Sequence, residues 1–207
     1  AQIDQILEQF QENGIENILA LRGDRVEGLT PTTDFNHAAD LIRYIRSKTG
    51  SFDIAGACYP ECHPEAPNMD TDIRHLKEKV DAGASHLITQ LFFDNDSFYD
   101  FRYRAARAGV NVPIEAGIMP VTNRKQIERM VTMCGASLPR KFTKMVQRFE
   151  DNPDALRDAG IAYAIDQIVD LVTDGVDGIH LYTMNNPYVA RKISEAVGGI
   201  IKAATKC

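Results

Sequence analysis

Lys79-Val80-Asp81-Ala82-Gly83-Ala84-Ser85-His86-Leu87-Ile88-Thr89-Gln90-Leu91 joins two patterns of different period. Before Gly83, the residues Ile73, Leu76 and Val80 recur at helical spacing along Asp72 to Ala82, which gives a helix one apolar side. After it, His86 to Leu91 is a short, largely apolar run of the length of a buried strand. A glycine between the two tolerates the left-handed conformation that ends a helix. The stretch predicts a helix, a glycine stop and a buried strand.

The same join recurs along the chain. Gly14, Gly50, Gly109 and Gly175 also follow helical patterns and precede the runs Asn17 to Leu21, Phe52 to Ala57, Val112 to Ala116 and Gly178 to Tyr182. Ile3, Ile6, Leu7 and Phe10 form the first apolar stripe, and Ala38, Leu41, Ile42 and Ile45 form the next. Ile127, Met130 and Val131 mark another helix within Arg124 to Met133. Pro139 to about Phe149 predicts a further one. Asn152 caps free amides and Pro153 suits a first turn, so a long helix is expected to Thr173, burying Leu156, Ala159, Tyr163, Ile165, Ile168, Val169 and Val172. The last helix is expected to start near Pro187.

Strands separated by helices run parallel with right-handed crossovers. No glycine-rich phosphate motif opens any unit, which argues against an open dinucleotide-binding sheet. The expectation at this point is an α/β fold with about five βα units visible, which by themselves do not separate an open sheet from a barrel. No composition break or linker divides residues 1–207, so a single domain is expected.

Composition narrows the class. The chain has 207 residues, 44% of them hydrophobic and 25% charged, with a formal net charge of -6. An acidic balance argues against a general nucleic-acid or anionic-membrane binder. No signal-like start and no long apolar stretch is present in the sequence, so a cytoplasmic protein without membrane or nucleic-acid partners is expected. Cys58, Cys62, Cys134 and Cys207 make no disulfide framework. Cys58, Cys62 and His63 carry metal-binding groups but lack paired short spacings and a fourth ligand, so the expectation is no metal.

In α/β proteins ligands meet the loops that follow the carboxyl ends of strands. Those positions hold Arg22-Gly23-Asp24, Tyr59-Pro60-Glu61-Cys62-His63-Pro64-Glu65, Gln90 to Asp94, Gly117-Ile118-Met119-Pro120 and Tyr182 to Asn186. Arg22 and Asp24 either pair to fasten a turn or face a polar ligand about Gly23. Gln90 either satisfies a backbone group or reads a heteroaromatic ring with its donor and acceptor. Phe92 and Phe93 read as packing rather than as a stacking platform.

These motifs, together with Ala20-Leu21-Arg22-Gly23-Asp24, His63-Pro64-Glu65-Ala66, Asp72, Leu76-Lys77 and Tyr182-Thr183-Met184-Asn185, resemble in order the flavin-dependent methylenetetrahydrofolate reductases. The resemblance implies an α/β fold of the TIM-type (β/α)8 barrel class, with residues 1–207 as a single incomplete barrel catalytic domain, its C-terminal portion. It also implies FAD across the carboxyl-terminal face of the barrel, with NADH or NADPH as electron donor and methylenetetrahydrofolate as hydride acceptor. It implies Arg22, Gly23, Asp24, His37, Ala38, Tyr59, His63, Ala66, Asp72, His75 and Lys79 as cofactor contacts, with Lys79 as a phosphate partner. It assigns folate contacts to Asp24, Gln90, Gln126, Tyr182 and Asn186, and makes Asp24 the catalytic electrostatic residue. His37 stands where the family commonly has tyrosine, and Asn186 where an arginine is expected.

The family's general acid belongs to the first barrel strand, which this chain lacks, and none of Glu61, Glu65 and Glu115 is assigned that role. A missing N-terminal barrel segment is therefore an expected requirement, residues 1–207 alone are expected not to turn over, and a homo-oligomer is an open partner state. The alternatives are an inactive or truncated flavin-binding homologue and a metal-assisted barrel lyase.

Overall fold

A computed structural model describes residues 2–23 and 34–205. The strands are β1 (Asn17–Ala20), β2 (Asp53–Cys58), β3 (His86–Thr89), β4 (Ile114–Ile118) and β5 (Gly178–Leu181). The helices are α1 (Gln2–Glu12), α2 (Ala38–Lys48), α3 (Met69–Asp81), α4 (Asn95–Arg107), α5 (Arg124–Cys134), α6 (Arg140–Phe149), α7 (Pro153–Thr173) and α8 (Pro187–Ala204). All neighbouring strands pair in parallel, in the order β1-β2-β3-β4-β5. A doubly wound sheet reverses its strand order, whereas a barrel keeps it sequential. The sequential order is that of the barrel class.

One sheet face is the core. Cys58, Leu87, Ile114, Ala116 and Ile118 are buried on it, and α3, α4, α7 and α8 pack there with Leu76, Phe98, Phe101, Ile168 and Ile193, while Ile54 packs with Leu7, Ile42 and Ile45 of α1 and α2. A second apolar cluster lies over the carboxyl ends of β3 and β4, where Leu91, Phe93, Met119 and Val121 meet α5 and α6 through Ile127, Met130 and Phe142. Gly160 permits α7 to approach this region, because a Cβ there would lie 1.7 Å from the Val121 carbonyl oxygen.

Asparagine and aspartate caps set many helix starts: Asn68, Asp94, Asn123, Asn152 and Asn186 each accept a backbone N–H in the following turn. The glycine stops hold at Gly14, Gly83, Gly109 and Gly175, all with positive φ, but not at Gly50. There α2 ends instead on extended Thr49, whose N–H reaches Ile45. β4 begins two residues later than expected because Pro113 has no N–H for a ladder, although its carbonyl accepts from Leu87. In α7, Leu156 and Ile168 are buried as expected, but Gly160, Ile161, Ala164, Gln167 and Leu171 complete the buried face. On α1 only Leu7 is buried, while Ile6 and Phe10 are exposed, as are Leu19 and Leu21 on β1 and its exit. Among the described residues, no helix is long and apolar enough to cross a membrane.

Candidate active site

A cavity of about 440 Å³ opens at the carboxyl ends of β1, β2 and β3, between the start of α2 and the exposed flank of α3. Strand alternation builds its floor: Leu19 and Leu21 from β1 and its exit, Ala57 and Tyr59 from β2, and Ile88 and Gln90 from β3. The β1 exit adds Arg22 and Gly23, the α2 start adds His37 and Ala38, and the β2–α3 loop adds His63, Glu65 and Ala66. Asp72, His75 and Lys79 come from α3 one helical turn apart, and Tyr182 closes the β5 side.

The β2–α3 loop is held from several directions. Asp72, only 9% exposed, accepts the His63 N–H at 2.8 Å. The His63 ring packs edge-on to Tyr59, with centroids 4.5 Å apart, and its Nδ1 accepts the Glu65 N–H at 3.0 Å. That bond places the proton of the neutral ring on Nε2. Burial lowers the His63 pKa, against the opposing pull of Asp72 and Glu65. Lys79 donates to the Ala57 carbonyl at 2.8 Å, and burial pushes its ammonium below the ordinary lysine range. Arg22 is gripped by both Glu65 oxygens, Nη1 to Oε2 at 2.8 Å and Nη2 to Oε1 at 2.9 Å, while its Nε donates to the Gly23 carbonyl at 3.1 Å.

Gln90 meets the first reading of its amide, that it satisfies a backbone group. Its Oε1 accepts the Leu91 N–H at 2.9 Å, and no described group partners its Nε2 in the cavity lining. Tyr182 donates to the Thr89 carbonyl at 2.8 Å, and burial pushes its phenol up to about 12. Phe92 and Phe93 are buried, stacked on Phe98 and Phe142 respectively.

The cavity gathers most of the residues singled out in the sequence, but not all. Asp24 lies outside the described residues. Gln126 is absent from the lining, and its Oε1 accepts from the Thr122 N–H at 3.1 Å. Asn186 is likewise outside it and caps α8, accepting the Val189 N–H at 3.3 Å. The turn before it holds Met184 and Asn185 at positive φ.

Of Glu61, Glu65 and Glu115, the first two have hydrogen-bonded carboxylates. Glu61 accepts the N–H and hydroxyl of Ser137, Glu65 binds Arg22, and Glu115 lies 3.8 Å from His180. Among the described residues, no group of three or more His, Cys, Asp and Glu gathers as a metal site. None of Cys58, Cys62 and Cys134 is in a disulfide, and burial raises the Cys58 thiol pKa.

Sequence reasoning had not assigned Leu19, Leu21, Ala57, Glu65 and Ile88 to the site. Ala57 and Ile88 stand two residues before Tyr59 and Gln90, and Leu21 and Leu19 two and four before Gly23, so period-two counting could have found them. Glu65 has no such signal, since its partner lies on another strand's exit.

The architecture defines a barrel-class α/β protein with a polar, partly cationic pocket at the carboxyl ends of its strands. The methylenetetrahydrofolate reductase family profile matches residues 1–198. The chain is 38% identical over 198 residues to the 5,10-methylenetetrahydrofolate reductase of Pectobacterium carotovorum, covering 95% of this chain and 65% of that protein. It is 37% identical to the Escherichia coli enzyme of the same name, with 93% and 64% coverage. For methylenetetrahydrofolate reductase 2 of Saccharomyces cerevisiae the identity is 41%, with 88% and 32% coverage. A solved structure of an uncharacterized Clostridium thermocellum protein, described as binding two copies of 5-methyl-5,6,7,8-tetrahydrofolic acid, shares the fold. It has a TM-score of 0.57 at 16% identity, covering 91% of this chain and 76% of that one. The chain belongs to the methylenetetrahydrofolate reductase family. It spans just under two thirds of the bacterial relatives and about one third of the yeast relative.

Proposed function

We propose that the protein functions as a flavin-dependent methylenetetrahydrofolate reductase, taking hydride from NADH or NADPH and producing 5-methyltetrahydrofolate from 5,10-methylenetetrahydrofolate. The observation that carries the reading is the convergence of Arg22, His63, Asp72, Lys79, Gln90 and Tyr182 on one cavity in a chain of this family.

The pocket chemistry suits FAD. Leu19, Leu21, Ala57 and Ile88 offer an apolar wall to a planar ring, and Tyr59 and His63 add aromatic faces. Lys79 and Arg22 supply cationic donors for an anionic group, and Asp72 supplies an acceptor near them. When bound, the flavin supplies the ring that receives and delivers hydride. The protein's own groups bind, orient and exclude water. Gln90 offers its amide Nε2 to a pterin edge, and Tyr182 limits the space beside it. Asp24 is proposed to favour developing positive charge on the folate through its carboxylate.

Proton donation is proposed to depend on the barrel segment that precedes these strands in the family, since Glu61 and Glu65 are engaged by Ser137 and Arg22 and Glu115 does not line the cavity. The test is anaerobic and has two stages on the full-length protein. NADH or NADPH should bleach the bound flavin, and methylenetetrahydrofolate should then restore its absorbance with formation of 5-methyltetrahydrofolate. Bleaching without restoration favours an inactive flavin-binding homologue, and absence of flavin rejects the reading.

A further inference from the structure

Arg22 stands at the exit of an edge strand, where a long cationic side chain would ordinarily sample many rotamers. It does not sit there unsupported. The two Glu65 oxygens take one N–H from each terminal guanidinium nitrogen, at 2.8 and 2.9 Å, and the Gly23 carbonyl takes the third from Nε. Such a fork fixes both the position and the plane of the guanidinium, which a single contact would not. Glu65 is itself anchored, since its N–H is held by His63 Nδ1 and the His63 N–H by Asp72. Orientation therefore passes from α3 through the β2–α3 loop to the exit of β1.

We infer that Glu65 is a positioning residue for ligand binding, presenting Arg22 in a fixed plane to an anionic aromatic cofactor in the cavity. This rests on the proposed flavin function and extends it to a carboxylate with no contact of its own to the reacting atoms. The Glu65 side chain is 43% accessible, whereas Arg22 is largely covered, with 18%. The pair is thus set at the cavity rim, with the cation inward of its counter-charge.

The test compares FAD affinity, read by flavin fluorescence, in the full-length protein and its variants. Glu65→Gln keeps the shape but replaces one acceptor by a donor, so the fork cannot form. Both Glu65→Gln and Glu65→Ala should weaken FAD binding about tenfold, the scale of a charge-assisted contact. In an Arg22→Ala background the same substitutions should change affinity by less than about twofold, because Arg22 is no longer there to be positioned. Arg22→Lys should not restore binding, since an ammonium cannot occupy the fork.

A merely structural glutamate would be rescued by the isosteric Gln, and that rescue would overturn the inference. So would tighter binding in Glu65→Ala, which would make Glu65 a competitor for Arg22. An undiminished effect in the Arg22→Ala background would overturn it too. Wild-type protein that takes up no FAD would reject the functional reading and this inference together, whereas a wild type that binds FAD alongside an equally tight Glu65→Gln would reject this inference alone.

Discussion

The Tyr182 hydroxyl donates to the Thr89 carbonyl at 2.8 Å, joining the exit of β5 to the end of β3 across β4. The space between them is made by Gly117. A Cβ at that position would lie 2.3 Å from the Thr89 carbonyl oxygen and 2.7 Å from the Tyr182 ring. The Gly117 N–H in turn donates to Thr89 Oγ1 at 2.8 Å, extending the β3–β4 connection beyond the paired residues Ile88 and Glu115. One side wall of the cavity depends on a missing side chain.

Gly117→Ala is therefore expected to displace Tyr182 and lower stability by about 1–3 kcal/mol, the usual scale of overpacking. Tyr182→Phe, which removes only the hydroxyl, should cost about 1 kcal/mol. Urea unfolding midpoints of both variants check this. A Gly117→Ala protein as stable as wild type would show that β3 and β5 separate without cost.

Gln90→Ala is expected to weaken folate binding by about 1–3 kcal/mol while leaving FAD occupancy near that of wild type. Its Oε1 is held by Leu91, so the substitution removes a pre-oriented amide rather than a flexible one. Folate titration beside flavin absorbance separates the two ligands. Depleted flavin with unchanged folate binding would assign Gln90 to the other ligand.

Asp24→Asn is expected to slow folate reduction by about 10²–10³-fold and to slow flavin reduction by NADH or NADPH much less. The expectation follows from the family motif Arg22-Gly23-Asp24 and from the charge that develops on the folate. Stopped-flow measurement of both half-reactions decides it. Near-wild-type rates in both would remove Asp24 from catalysis.

Asp170 ties α7 to α4, accepting from Asn95 Nδ2 and from the Tyr99 hydroxyl, each at 2.7 Å. The Asn95 bond first and the Tyr99 bond second hold its carboxyl below the usual aspartate value. A depressed folded pKa contributes stability that is fully present above the unfolded pKa of about 3.9 and lost as pH falls through the folded value. Because Asp170 is exposed, Asp170→Asn should cost only about 1 kcal/mol or less at pH 7. The deficit should shrink as pH falls below about 4. Urea midpoints across that range test the sign, and a deficit that grows on acidification would contradict it.

Local chemistry made much of the fold legible. The helix starting at Asn152 and Pro153 and ending at Thr173 follows from a cap, a first-turn proline and helical spacing, all read within a few residues. The parallel sheet follows from repeated helix-to-strand joins, and Tyr59, Gln90 and Tyr182 were recognisable as strand-exit residues. Strand ends were harder. Pro113 delayed β4 because a ladder needs an N–H that proline lacks, and Gly50 proved unnecessary as a left-handed stop.

What the sequence by itself determined is the set of short-range preferences: periodicity, caps, the strand runs and the motifs at their exits. Only the tertiary structure decided which distant groups share those exits. Arg22 meets Glu65 of the β2–α3 loop, and Glu61 meets Ser137 across the gap between that loop and the α5–α6 connection. Gly117 is a glycine because Tyr182 and Thr89 occupy the place of its side chain. Such choices are invisible along the chain because hydrogen bonding and steric exclusion act over a few ångströms of space, whatever the separation in sequence.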